Sequence, residues 1–244
     1  MRPILVIALV AVLYFIGAML GHSLAIPPNF AAAVWPAAGI ALASVMLIRG
    51  PGPAIGVLLG AVAANTINVS GGESFEWSAL VPGVCISIGS LLQAMAQAHI
   101  YRRFIGEDAS WSDPSVLVRF TLLVAVGGSM IAATVGVTTL YLAGVMPETQ
   151  LPFNWVTWLI GDAVGVLLVA PAAHVIFRNS HYNATQKLQI LLPFAVILAV
   201  VYLLFLKSIG YAEEKRTQIL RSEADHLART IESRLVISEN KLSA

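Results

Sequence analysis

The sequence predicts an all-α, polytopic transmembrane helix bundle of about seven helices, followed by one long amphipathic helix outside the membrane. Composition is the first reason. Hydrophobic residues make up 58% of the 244 residues and charged residues only 11%, where a soluble domain carries about 25% charged residues; mean hydropathy is +0.82. Charge distribution is the second: of 14 Lys and Arg and 13 Asp and Glu, 13 fall in the last 38 residues, Lys207 to Ala244. The third is a set of seven apolar stretches in the rest of the chain. Each approaches the roughly 20 residues that a helix rising about 1.5 Å per residue needs to cross a hydrocarbon core of about 30 Å. A net charge of +1 without any run of Lys or Arg gives no basis for nucleic-acid binding. The single cysteine, Cys85, excludes an internal disulfide.

The stretches run, in order, over residues 3–21, 31–48, 53–69, 78–101, 115–143, 154–177 and 188–206. The first is followed by Ser23-Leu24-Ala25, whose small-x-small spacing also fits a signal-peptide cleavage site; six further crossings favour an uncleaved helix. The second is opened by Trp35-Pro36, where proline either starts the helix or leaves a kink and a small pocket. The third places Asn65 and Asn68 near its end. The fourth carries Gln93 and Gln97 one turn apart on one face, a pair suited to interhelical hydrogen bonding. The fifth is about 29 residues long, short of the roughly 40 that two crossings need, and is read as one tilted helix. The sixth contains Asp162, and the seventh leads into the charged tail. Small residues recur at four-residue spacing at Gly56 and Gly60, at Gly161 and Gly165, and at Gly128, Ala132 and Gly136. With Gly39 they are candidates for close helix packing.

Cations set the direction. Loops on one side hold Arg2, Arg49, Arg102, Arg103, Arg178 and Lys187, while those at 22–30, 70–77 and 144–153 hold none, so the amino terminus is expected in the cytoplasm. Trp77, Trp155 and Trp158 fall near the outer ends, as in an aromatic belt. Seven crossings send residues 208–244 to the extracytoplasmic side. There Leu220, Ala224, Leu227, Ile231, Leu235, Ser238 and Leu242 form one apolar stripe on a helix, which is expected to be the first helix of a further domain and to need a partner.

Asp162 is the costliest residue in the bundle, since a carboxylate at membrane depth is tolerated only when paired, protonated or hydrated. Two roles stay open for it: contact with a ligand or proton, or hydrogen bonding that only supports the fold. Trp35, Asn65, Asn68 and Asp162 would line a polar, aromatic pocket opening outward if their helices are neighbours. His99 and His174 lie near cytoplasmic helix ends without a ligand-spacing signature. Neither a metal, a cofactor nor a catalytic group is expected: no phosphate loop, dinucleotide fingerprint, metalloprotease motif or carboxylate pair is found.

Four segments resemble a known family. They are Val34-Trp35-Pro36-Ala37-Ala38-Gly39-Ile40-Ala41-Leu42, Gly60-Ala61-Val62-Ala63-Ala64-Asn65, Gly89-Ser90-Leu91-Leu92-Gln93-Ala94, and Trp158-Leu159-Ile160-Gly161-Asp162-Ala163-Val164-Gly165 with Pro171. Together they look like the signatures of the MASE1 domain, a bacterial membrane-associated sensor module, over roughly residues 5–205. The resemblance implies hallmark positions at Trp35, Pro36, Gly39, Asn65, Gln93, Trp158, Gly161, Asp162 and Gly165. It also implies an inner-membrane sensor, homodimeric at full length, whose output region is a cytoplasmic histidine kinase or a cyclic-di-GMP synthase or phosphodiesterase outside this chain. The tail from Tyr211 is similar to the opening helix of a CHASE domain, an extracytoplasmic ligand-binding module. MASE1 domains are often drawn with eight helices, and an eighth crossing would turn the tail inward as a coiled-coil connector.

The division that follows is a sensor bundle over 1–207 and the start of a second domain over 208–244. The bundle, set in the lipid bilayer, is expected to pass on the binding of a small molecule or of a membrane-protein partner. A small-solute transporter or channel is the alternative, since intramembrane carboxylates and broken helices also serve transport. The orientation has a direct check. In a Cys85→Ser background, Glu148→Cys should react with a membrane-impermeant maleimide on intact cells and Arg103→Cys only after permeabilisation; the opposite pattern would reverse the topology.

Overall fold

The computed structural model describes residues 3–23, 32, 34–70, 76–107, 109–111 and 113–177, with 183–185, 187, 188, 192 and 196 as isolated positions. The elements are α1 (Pro3–Ser23), α2 (Pro36–Leu47), α3 (Gly52–Val69), α4 (Leu80–Phe104), α5 (Pro114–Arg119), a π-helical segment (Phe120–Gly127), α6 (Gly128–Leu142) and α7 (Leu151–Phe177). Single 3₁₀ turns precede α4 at Trp77–Ala79 and α7 at Glu148–Gln150. Among the described residues there is no strand, as an all-helical membrane bundle requires. The predicted seventh crossing lies almost wholly outside the described residues, and the tail from 207 wholly so.

Among the described residues, five segments have the length and apolar character to cross a bilayer: Pro3–Ser23, Gly52–Val69, Trp77–Phe104, Pro114–Leu142 and Glu148–Phe177. The second predicted crossing does not. It begins at Pro36 instead of Ala31 and has 12 residues, about 18 Å of helix. The cause is local: Pro36 occupies the first turn, and Trp35 before it stands outside helical geometry at φ −120°, ψ 83°, since proline disfavours the α region for the residue before it. Proline therefore starts this helix.

Neighbouring helices follow a circuit, α1 on α3, α3 on α4, α4 on α6, α6 on α7 and α7 on α2, with α2 returning to α1 and also touching α4. The short α2 is the most enclosed. Ala37, Leu42, Ala41 and Met46 are buried, and Ala38, Leu42 and Met46 join one core with Val124, Val166 and Ala170. A second core joins Val10, Tyr14 and Ala18 of α1 to Val57, Ala61 and Ala64 of α3. Bulky apolar side chains on the outer faces, such as Leu9, Ile16, Leu59, Leu92, Leu122 and Ile160, are exposed, as expected of surfaces that meet lipid tails.

The closest approach is between α2 and α7. A Cβ built on Gly165 would collide with the Trp35 carbonyl oxygen, and one on Gly39 with the Gly165 carbonyl. The Trp35 backbone N–H donates to the Gly161 carbonyl at 2.9 Å. A residue outside helical geometry at this depth must satisfy its amide within the protein, and the glycine face of α7 is what lets the two backbones meet. Gly56 and Gly60 do the same for α1 and α3: Cβ atoms there would stand 2.7 Å from the Ile7 carbonyl and 2.5 Å from the Ala11 carbonyl.

The fifth crossing is one segment, as its length predicts, but its middle is π-helical. Where it returns to α geometry, the Gly128 N–H is shared between the Ala125 and Val124 carbonyls. Gln97 of α4 reaches this point, Nε2 donating to the Val124 carbonyl at 3.0 Å and lying 3.3 Å from Ser129 Oγ. A Cβ on Gly128 would strike the Gln97 side chain. At the far end of α6, Gly144 at φ 71° closes the helix, with Val145 N–H on the Leu140 carbonyl and Gly144 N–H on that of Tyr141, both 3.0 Å, a left-handed cap. At the opposite end of the bundle Asp113 caps α5 through the Ser115 N–H at 2.8 Å. That backbone bond holds its carboxyl below the ordinary aspartate value.

The cationic ends gather as the charge pattern predicts. Glu107 lies 3.8 Å from Arg49 and 3.7 Å from Arg102, and Arg102 Nη2 donates to the Val45 carbonyl at the end of α2 at 2.8 Å. Such solvent-facing pairs contribute about 0–1 kcal/mol each, so they tie loop ends together without carrying the fold. Of the three belt tryptophans, Trp77 is 80% exposed and Trp155 is half-buried, its Nε1 donating to Thr134 Oγ1 at 3.0 Å. Trp158 lies on the flat face of Gly136, where a Cβ would come within 2.5 Å of the ring.

Two substitutions rank these contacts. Gly165→Val, which pushes a branched side chain into backbone, should destabilise the bundle by about 3 kcal/mol. Gln97→Leu, which removes one interhelical hydrogen-bond donor, should cost about 1 kcal/mol. Unfolding of the purified protein in mixed micelles would give the order, and a milder effect at 165 than at 97 would contradict it.

Candidate functional site

A polar seam runs the length of α4. Ser87, Ser90, Gln93, Gln97 and Tyr101 follow at steps of three, three, four and four, the spacing of one helix face, and each meets a different neighbour. Ser87 donates to the Gly83 carbonyl at 2.6 Å and accepts from Asn65 Nδ2 of α3 at 3.1 Å. Ser90, whose hydroxyl lies 3.2 Å from the Ile86 carbonyl, faces the Tyr14 hydroxyl of α1. Gln93 is the side-chain hydrogen-bonding neighbour of Asp162 on α7. Gln97 engages the π segment, and Tyr101 enters an aromatic cluster at the end of the bundle that carries Arg102.

The centre of the seam is the candidate site. Tyr14, Gln93 and Asp162 are 1%, 2% and 3% exposed. Tyr14 has the Trp35 side chain as a second hydrogen-bonding neighbour, and the Asp162 carboxyl is near enough to act on it through space. Four helices thus contribute: α1 with Tyr14, the start of α2 with Trp35, α4 with Ser90 and Gln93, and α7 with Asp162. Local structure dictates the convergence. The Trp35 amide is held on Gly161, the residue immediately before Asp162, so the entry to α2 and the carboxyl share one level of the bundle. Gly161 is ten residues into α7, about 15 Å along its axis, which puts Trp35 deeper than its place near the outer loop suggests. Two acceptors in the group, Asp162 Oδ1 and Gln93 Oε1, are buried and accept no hydrogen bond from the described residues. The described ion pairs are those of Glu107 with Arg49 and Arg102; Asp162 makes none of them.

Of the residues singled out from sequence, Asp162, Gln93 and Trp35 come together, with Pro36 setting the turn that delivers Trp35. Asn65 is buried one step along the seam, on Ser87. Asn68 sits half-buried in the last turn of α3, and the described contacts do not bring it to Asp162. Trp158 packs against α6. The described contacts thus gather Trp35 and Asp162 in one buried group, with Asn65 beside it on Ser87 and Asn68 apart. Tyr14 and Ser90 are the members sequence reasoning missed. Ser90 precedes Gln93 by three residues on the same face, a readable signal; nothing in α1 alone distinguishes Tyr14.

His174 and His99 do not meet. His99 is exposed on α4, whereas His174 is buried and its Nδ1 accepts from Trp111 Nε1 at 3.2 Å. Trp111, from the loop after α4, stacks on Tyr101 with centroids 6.3 Å apart and meets Phe120 edge to face at 5.0 Å. This aromatic group closes the arginine-bearing end of the bundle against the π segment.

No curated protein and no solved structure matches the chain. The family model for MASE1 matches residues 6–213, which takes in every described helix apart from the first three residues of α1. The match covers Trp35-Pro36, Gly39, Gln93 and the Gly161-Asp162 turn of the α2/α7 crossing. The chain belongs to the MASE1 family of membrane-associated sensor domains.

Proposed function

We propose that this chain is the signal-input module of a bacterial inner-membrane sensor protein. Binding of a small molecule or of a membrane partner biases the α2/α7 crossing around Asp162. The helix predicted over 188–206 carries the change to a histidine kinase or cyclic-di-GMP output domain, in a protein that works as a homodimer. The observation that carries this reading is the burial of Asp162 against Gln93, with an acceptor left over on each. An unpartnered polar atom at this depth costs on the order of 1–3 kcal/mol, and here two such acceptors, on Asp162 and on Gln93, belong to one hydrogen-bonding pair. Its neighbour supports a role in switching: the Trp35 to Gly161 backbone bond lies one residue away, so a change at the carboxyl acts directly on the contact between two helices.

Transmission requires that the stimulus favour one arrangement of the crossing over the other. A tenfold change in output corresponds to about 1.4 kcal/mol of such preference, comparable to one interhelical hydrogen bond. In the full-length sensor, Asp162→Asn is expected to shift output at least tenfold, towards either locked-on or locked-off, while the protein still reaches the membrane. Reporter expression with immunoblotting of the membrane fraction measures both. Unchanged output and unchanged stimulus response in this variant would sink the proposal.

A further inference from the structure

The Asp162 group has a composition that narrows what it binds. Its buried atoms left without a partner among the described residues are both acceptors, Asp162 Oδ1 and Gln93 Oε1. The nearby hydroxyls of Tyr14 and Ser90 add two more oxygens, while the one nearby nitrogen donor outside Gln93, the Trp35 indole, is directed to Tyr14. A carboxylate with amide and hydroxyl oxygens near it, and acceptors left over on two of them, suits a hard cation or an ammonium group. Charge fixes its valence. Amide, phenol and hydroxyl are neutral, so the group carries one negative charge when Asp162 is ionised. A single positive charge neutralises it, whereas a divalent ion would leave a net charge buried in the bundle. Size is limited too, because α2 and α7 are in backbone contact beside the carboxyl and would not admit even a methyl group at Gly39 or Gly165.

We infer that the Asp162–Gln93 group, with Tyr14 and Ser90, is a binding site for a small monovalent cation: sodium, potassium or ammonium. It lies within the input site proposed above and specifies what that site takes. Occupancy would draw α4 and α7 together through Gln93 and Asp162, the step by which binding reaches the Trp35 contact.

The test reads binding and not signalling, so either idea can fail alone. The purified full chain in lipid nanodiscs, prepared in choline chloride, is titrated with NaCl, KCl or NH4Cl at constant chloride, and tryptophan emission is followed. At least one cation should give a saturating change that choline does not. Asp162→Asn should abolish it, and Gln93→Leu should raise the half-saturating concentration at least tenfold. Ammonium set against sodium and potassium separates a hydrogen-bonding from a spherical ligand. If Asp162→Asn fails to fold, judged by circular dichroism, the isosteric Tyr14→Phe replaces it, with an expected several-fold weakening. A flat response to all three salts, as a protonated carboxyl would give, overturns the assignment, as does an unchanged titration in the variants. A flat response together with altered output in Asp162→Asn would remove the cation and leave the input reading standing.

Discussion

The Trp35 amide has one place to go. Pro36 forces the residue before it out of helical geometry, and within a bilayer its amide cannot turn to water. The Gly161 carbonyl receives it at 2.9 Å, and that bond is possible because Gly165 and Gly39 present no side chains between the two backbones. From this contact follow the shortness of α2, its enclosure by α1, α4 and α7, and the level at which Asp162 meets Gln93. Had either glycine carried a side chain, the helices would stand apart and the carboxyl would face a gap.

Against this fixed crossing, α4 works as the polar axis of the bundle. Its seam answers each neighbour with a different chemistry: a serine for the Asn65 amide, a serine for the Tyr14 phenol, an amide for the Asp162 carboxyl, a second amide for the π segment. The two glutamines, alike in sequence, have separate tasks. Gln97 completes the backbone of the fifth crossing and is structural, the role expected of the pair, while Gln93 belongs to the carboxyl. Interhelical bonds in membranes are individually weak, so the seam sets register and orientation more than stability, which rests on the glycine contacts.

Much of this was legible in the chain. Length and hydropathy mark the long crossings, the loop arginines predict that Arg49 and Arg102 share an end, and four-residue glycine spacing identifies the close contacts. Asp162 stands out by the cost of its burial. What stayed hidden depends on pairing between helices, which no single periodicity encodes. A hydropathy window counts residues and not dihedral angles, so the non-helical entry to α2 reads as part of a crossing. Tyr14 looks like any tyrosine in an apolar helix until Ser90 and Trp35 are beside it. Trp155 and Trp158 have belt positions along the chain, and their contacts with Thr134 and the bare surface of Gly136 depend on α6 lying alongside. His174 and His99 are alike in position along their helices and differ in the direction they face.

The π segment at Phe120–Gly127 bears on how chains of this kind are to be compared. A π turn is an α turn that has taken in an extra residue. A sequence aligned through this stretch can therefore be one residue shorter without loss of either flanking helix, provided the glutamine facing it finds another partner. A one-residue gap here is a change of helix type, and treating it as misalignment would shift every residue from Gly128 to Leu142 onto the wrong face.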